Sequence, residues 1–307
     1  MRPITGVHSL ERARTSSERV VRRNDYETAF MRNRGLVSRA EQEVLRASRV
    51  AIIGAGGVGG GHAITLARMG IGHFRIVDPD CFELANMNRQ AGALYSTLGQ
   101  PKASAIGSMV ADIQPGAEID VVDAALGDDN AHALLDGVDV VVDGLDFFAL
   151  DARLILYRTA RELGIPVVTS GPMGMSATMH VFTRTSMTFE RYFDLKPGMS
   201  RLQMLASFLV GVAPKMSHRR YTDLRYADID QEYGPSLAAA CMMCAGIASV
   251  EVMRILLGRP GSKPAPYYYQ FDAYRQRLFR GRLRWGNRGP LQRLKRWIVE
   301  RYFGGDT

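Results

Sequence analysis

Cysteine is scarce in this chain, which has three in 307 residues: Cys81, Cys241 and Cys244. That excludes a disulfide framework and suits a reducing compartment. Long apolar runs are scarce as well. No hydrophobic segment follows the start methionine, so a cytoplasmic location is expected. The run MLASFLVGV at 204–212 is too short to span a bilayer. There is no internal repeat, and glycine and proline are spread rather than clustered. With 46% hydrophobic residues the chain can bury one large core, so a globular α/β protein is expected.

The formal charge of +8 comes from the ends. Residues 1–35 hold eight arginines against four acids, and 275–307 hold ten basic residues against two acids. The ends together carry +12 and the middle about −4, so the basic balance says nothing about the core. Residues 1–24, polar and rich in Arg and Ser, are expected to be largely disordered. A helix at 38–48 opens on Ser38 with Glu41 three residues on, the spacing of a capping box.

From residue 50 strands and helices alternate. Strands are expected at 50–54, 73–78, 118–126, 139–145 and 166–172, and helices at 59–69, 100–113, 129–135 and 151–163. That alternation predicts a Rossmann-like, doubly wound, mostly parallel sheet, with ligands beyond the carboxyl ends of the strands. A further strand at 177–183, antiparallel, and another at 266–272 form the expected C-terminal antiparallel extension. Residues 184–235 read as an irregular crossover or lid, and 236–258 as an apolar helix ending at Gly258. The expected organisation is a disordered 1–24, a nucleotide-binding domain over 25–274, and a basic amphipathic tail over 275–307.

In VAIIGAGGVGG (50–60), Gly54, Gly56 and Gly59 form G-x-G-x-x-G between a strand and a helix, with Asp78 ending the next strand. This pattern offers backbone N–H groups to a phosphate and a carboxylate to ribose hydroxyls. By itself it leaves NAD and ATP nearly tied. The residues downstream favour a triphosphate. Asn86, Asn88, Arg89, Gln90 and Lys102 follow the second strand, where Arg offers a planar fork and Lys a point charge. Asp146 ends a third strand, in VVDGLD, and could hold Mg²⁺ through oxygen.

With these residues in order, the chain resembles the ubiquitin-activating-enzyme-like superfamily, the ThiF, MoeB and HesA adenylyltransferases. The resemblance implies that Gly54, Gly56, Gly57, Gly59, Asp78 and the nearby Asp80 bind adenosine. It implies that Asn86, Arg89 and Lys102 handle phosphates, that Asp146 holds Mg²⁺, and that Arg34 reaches ATP across a homodimer interface. The implied reaction is attack of a substrate carboxylate on the α-phosphate of ATP with loss of pyrophosphate. The implied substrate is the C-terminus of a small carrier protein or a peptide.

Three features depart from the family. CMMC at 241–244 matches one of two Cys-x-x-Cys pairs, and two thiolates cannot close a zinc site, so no zinc is expected. Phe147 stands where the family has asparagine after the magnesium aspartate, and the stretch from there to Arg153 is two residues longer than the family's. No cysteine reads as a transfer thiol. NMNRQAGAL and ARMGIG also resemble the tRNA threonylcarbamoyladenosine dehydratases, which makes an ATP-dependent cyclisation on tRNA the first alternative. An NAD-dependent oxidoreductase and a catalytically silent adaptor of the same fold are the others. The helix in GPLQRLKRWIVERYF (289–303) groups Leu291, Leu294, Trp297 and Ile298 on one face. Its expected role is docking on the protein's own body or a dimer partner, ahead of a membrane surface, RNA or an acidic partner.

Overall fold

Runs of Val, Ile and Ala with no polar alternation become strands buried on both faces. In β2 (Arg49–Ile53), Val50 and Ile52 face one side of the sheet while Ala51 and Ile53 face the other, all buried. The computed structural model describes residues 7–9, 23–229 and 231–305. The remaining strands are β1 (Val7–Ser9), β3 (His73–Val77), β4 (Glu118–Val122), β5 (Val140–Asp143), β6 (Val167–Thr169), β7 (Pro172–Met173), β8 (Ser176–Phe182), β9 (Tyr267–Asp272) and β10 (Arg277–Arg282). The helices are α1 (Arg23–Ala29), α2 (Arg39–Ala47), α3 (Gly59–Met69), α4 (Lys102–Ile113), α5 (Ala131–Leu135), α6 (Leu150–Leu163), α7 (Phe189–Phe193), α8 (Arg201–Val212), α9 (Ala238–Leu256) and α10 (Pro290–Gly304).

The sheet runs β1-β4-β3-β2-β5-β6-β8-β9-β10, with β7 paired to β8. Strands β4-β3-β2-β5-β6 are parallel, and the pairings beyond them are antiparallel. The doubly wound sheet with its antiparallel extension is therefore the observed fold. The chain leaves β2 towards β3 on one side and β5 towards β6 on the other, so the topological switch point lies beyond the carboxyl ends of β2 and β5. One core packs α3, α4 and α9 on the sheet, and the other packs α5 to α8 on the opposite face.

Helix α2 opens on the expected capping box: Ser38 Oγ accepts from Glu41 N and Ser38 N donates to the Glu41 carboxylate. Arg259, beyond α9, pairs with that same carboxylate at 2.8 Å and ties the end of α9 to α2. By length and composition alone α9 could cross a membrane, but its Cys244, Ala245, Ala248 and Val252 are buried in the protein core.

Three stretches differ from their expectation. The region 184–235 is not irregular throughout: it contains α7 and α8, whose Phe189, Tyr192, Phe193 and Phe208 stack with Tyr157 and Phe182. Within 275–307, β10 pairs with β9 as a hairpin, so part of that segment belongs to the sheet. Within 1–24, Val7–Ser9 pair antiparallel with β4, while 1–6 and 10–22 lie outside the described residues.

Candidate functional site

The glycine turn is shaped first by packing against the neighbouring strand. Gly54 has φ +93°, and a Cβ there would meet the Gly144 carbonyl oxygen at 2.4 Å. A Cβ on Gly59 would fall 1.7 Å from the Gly54 carbonyl oxygen. These two glycines, with Gly144 after β5, let α3 start against the sheet. Gly56 and Gly57 are different. A Cβ on Gly56 would meet the Gln90 side chain at 3.6 Å, and one on Gly57 would meet Cys241 Sγ at 3.5 Å, both ordinary contacts. The protein's own packing does not require these two glycines.

Asp78 follows β3 and is buried, and burial raises its pKa above the usual carboxylate range. Its Oδ2 accepts from Ala55 N at 2.6 Å and its Oδ1 from Asp80 N at 2.9 Å. The side chain fixes the glycine turn to the second strand, leaving only its remaining lone pairs for a ribose. Asp80 is tied to the start of α4. Its exposed carboxylate accepts from Lys102 Nζ at 2.9 Å, and its carbonyl accepts from Lys102 N at 2.8 Å. Lys102, buried at the start of α4, is thereby positioned beside the loop after β3.

Asn86 sits in a short 3₁₀ turn, where its Oδ1 accepts from Glu83 N at 3.0 Å and its carbonyl accepts from Arg89 N and Gln90 N. It builds the turn that carries Arg89 and Gln90. Arg89 rests on the Ala85 carbonyl at 3.0 Å and on Asn88 Oδ1 at 3.1 Å. Asn88 in turn donates to the Ser236 carbonyl at 3.1 Å. Arg89 also lies close enough to Cys241 to act on its thiol electrostatically, although burial, the larger influence, raises that thiol's pKa. Gln90 Oε1 is buried and has no hydrogen-bond partner beside Gly56. A buried acceptor without a partner beside a glycine turn is a contact available to a donor on a ligand.

Asp146 is exposed after β5, with Oδ1 accepting from Phe148 N at 3.0 Å. Two residues the sequence reading left unassigned hold its loop. Arg153 Nε pairs with buried Asp143 at 2.9 Å, and its Nη1 and Nη2 donate to the Asp146 and Leu145 carbonyls at 2.7 and 2.6 Å. Its guanidinium lies 4.7 Å from the centre of the Phe208 ring, and Tyr157 Oη donates to Asp143 at 2.9 Å. The signal available was the first aspartate in VVDGLD, Asp143, with an arginine ten residues later. Phe147 faces the ring of Phe208 on α8 at 5.2 Å, so the departure at that position serves packing with the crossover segment.

Arg34 is not brought to this group within one chain. It is exposed ahead of α2, and neighbouring Asn33 donates to the Met69 carbonyl at the far end of α3. The glycine turn lies at the opposite end of that helix, roughly 16 Å away for eleven residues at 1.5 Å each. Cys241 and Cys244 are both buried on α9, and burial pushes the Cys244 thiol up to about 12.

The glycine turn thus lies at the switch point of a parallel sheet, with Gln90 beside Gly56, Cys241 and Arg89 on the side of Gly57, and Lys102 on the side of Asp78. The family profile described as ThiF family matches residues 30–290. The chain belongs to the ThiF family. The ThiF-family chain is 35% identical over 142 residues to the tRNA threonylcarbamoyladenosine dehydratase of Bacillus subtilis (strain 168), covering 46% of this chain and 55% of that protein. It is 34% identical over 142 residues to the molybdopterin-synthase adenylyltransferase of Escherichia coli (strain K12), covering 46% of this chain and 56% of the other. It thus spans about half the length of the curated relatives it matches. Among solved structures, PaaA matches with TM-score 0.63 and 18% identity, covering 89% of this chain and 78% of PaaA. E. coli MccB with ATP matches with TM-score 0.58 and 15% identity, covering 79% and 66%. At those identities the likeness is one of fold.

Proposed function

We propose that this ThiF-family chain is an ATP-dependent adenylyltransferase acting on a carboxylate, with ATP seated over Gly56 and Gly57. The observation that supports the reading is the orphaned Gln90 acceptor beside Gly56, at a glycine turn with Arg89 near Cys241 on one side and Lys102 near Asp78 on the other. A carboxylate oxygen attacks the α-phosphorus, the bond to the bridging oxygen breaks, and pyrophosphate leaves with the electron pair. The nucleophile is already ionised near neutral pH, so no general base is required. The chain's part is positioning and charge neutralisation.

Backbone N–H groups of the glycine turn and the start of α3 receive phosphate oxygens. Lys102 and Arg89 exchange their resting partners, Asp80 on one side and Ala85 with Asn88 on the other, for phosphate. Asp146, an exposed carboxylate with one oxygen held by Phe148 N, is the residue that would hold Mg²⁺. When bound, the ion supplies positive charge against the phosphates. Arg34 enters only from a second copy, so the reading includes a homodimer.

The substrate proposed is the C-terminus of a small carrier protein or a peptide. A second reading, activation of a carboxylate on a tRNA nucleoside, is favoured by the 35% identity to the B. subtilis dehydratase. ATP–pyrophosphate exchange tests both, with a carrier protein, a peptide or tRNA as the carboxylate. Exchange is expected with one of these, and Lys102→Ala and Arg89→Ala should each reduce it by roughly 100-fold. No exchange with any of them, together with tight NAD(H) binding, would overturn the proposal.

A further inference from the structure

Helix α10 docks on the protein through its polar residues. Gln292 donates to the Val210 carbonyl at 3.1 Å and to Asn287 Oδ1 at 3.2 Å, and Lys295 Nζ donates to the Pro214 carbonyl at 2.5 Å. Arg296 pairs with buried Asp194 at 3.0 Å, and Val299 adds an apolar contact beside Ala206 and Val210. The face that hydrophobic periodicity assigns to the interior points outward instead. Leu291, Leu294 and Trp297 are 62%, 52% and 55% exposed, and Ile298 and Tyr302 are exposed beside them. The helix is docked with its apolar stripe displayed.

The surroundings select the kind of surface that would cover this stripe. Residues 275–307 carry ten basic side chains against two acids. Arg284, Arg293 and Arg301 are exposed in and ahead of the helix, as is Trp285. A second copy presenting the same face would set arginines against arginines. Nucleic acid would reward the arginines but gain little from Leu291, Leu294 and Ile298. An anionic bilayer surface uses every component: aliphatic chains enter the acyl boundary, Trp and Tyr rings sit at the headgroup level, and arginines reach lipid phosphates. The helix is already folded and fixed to α8, so binding would cost little ordering.

We propose that α10 is an interfacial anchor that lays the protein flat on an anionic lipid surface, independently of the reaction proposed above. The test uses the full chain with vesicles of phosphatidylcholine, alone or mixed with phosphatidylglycerol. Trp285→Phe leaves Trp297 as the sole indole reporter. The expected result is co-sedimentation with the mixed vesicles only, weakened by salt, with a blue shift of Trp297 emission. The double variant Leu291→Glu/Leu294→Glu changes only exposed side chains. With thermal unfolding unchanged, it should bind at least about tenfold more weakly. Three results would overturn the proposal: no binding to mixed vesicles, equal binding to neutral ones, or binding that the double variant leaves intact. Self-association abolished by that variant, without vesicle binding, would assign the face to a second copy instead.

Discussion

At the scale of single residues, the glycines of one motif have separate duties. Gly59 is required by the fold, because an added methyl would overlap the Gly54 carbonyl oxygen at 1.7 Å. Gly59→Ala should cost at least ~3 kcal/mol, read by urea unfolding. Gly56→Ala meets only the movable Gln90 side chain, so its melting temperature should stay within about 3 °C of the parent. On the proposed seating of ATP, its ATP affinity should nevertheless fall by roughly tenfold, because the methyl would stand where phosphate is proposed to approach the backbone. Equilibrium ATP binding beside a thermal melt separates the two outcomes. The motif in the sequence carried both roles under one spelling. Asp78 was legible as the acid after the second strand, but not its use in pinning the turn, since both of its bonds go to backbone N–H groups.

At the scale of elements, the loop after β5 depends on Arg153, which joins Asp143, the Asp146 backbone and the ring of Phe208 on α8. Arg153→Met leaves Asp143 buried without its cation and should cost about 3–5 kcal/mol. Arg153→Met/Asp143→Asn should recover a large part of that, measured as a double-mutant cycle in urea. The parallel strands and their helices were readable because their side chains are apolar on the faces that become buried. Helix α7 was not readable, because five residues are too few for a period to register. In α10 the period was visible but its direction was inverted: the surface beneath it offers the carbonyls of Val210 and Pro214 and the carboxylate of Asp194, and these select Gln292, Lys295 and Arg296. Hydrophobic periodicity identifies which residues share a face, and the partner surface decides which way that face turns.

At the scale of the whole molecule, three histidines among the described residues are interior. Burial lowers His62 and His218 to about 4 and His180 to about 3. The unfolded chain takes up a proton at each near pH 6.5, while the folded chain does so only below about 4. Stability is therefore full above pH 6.5 and declines as the pH falls. At pH 5 each histidine should have cost about 2 kcal/mol relative to pH 7. Urea unfolding at the two pH values measures this, and His62→Leu should flatten the slope by about one third. The sheet itself has a further consequence at the two borders it shows among the described residues. One border is β1, three described residues long, which offers little backbone to template another strand. The other is β10, where Arg277, Arg280 and Arg282 would set like charges against a second β10. Lateral growth of the sheet from one molecule to the next is discouraged at both borders, so copies of this protein that assemble should meet through helices and loops, not through a shared ribbon of strands.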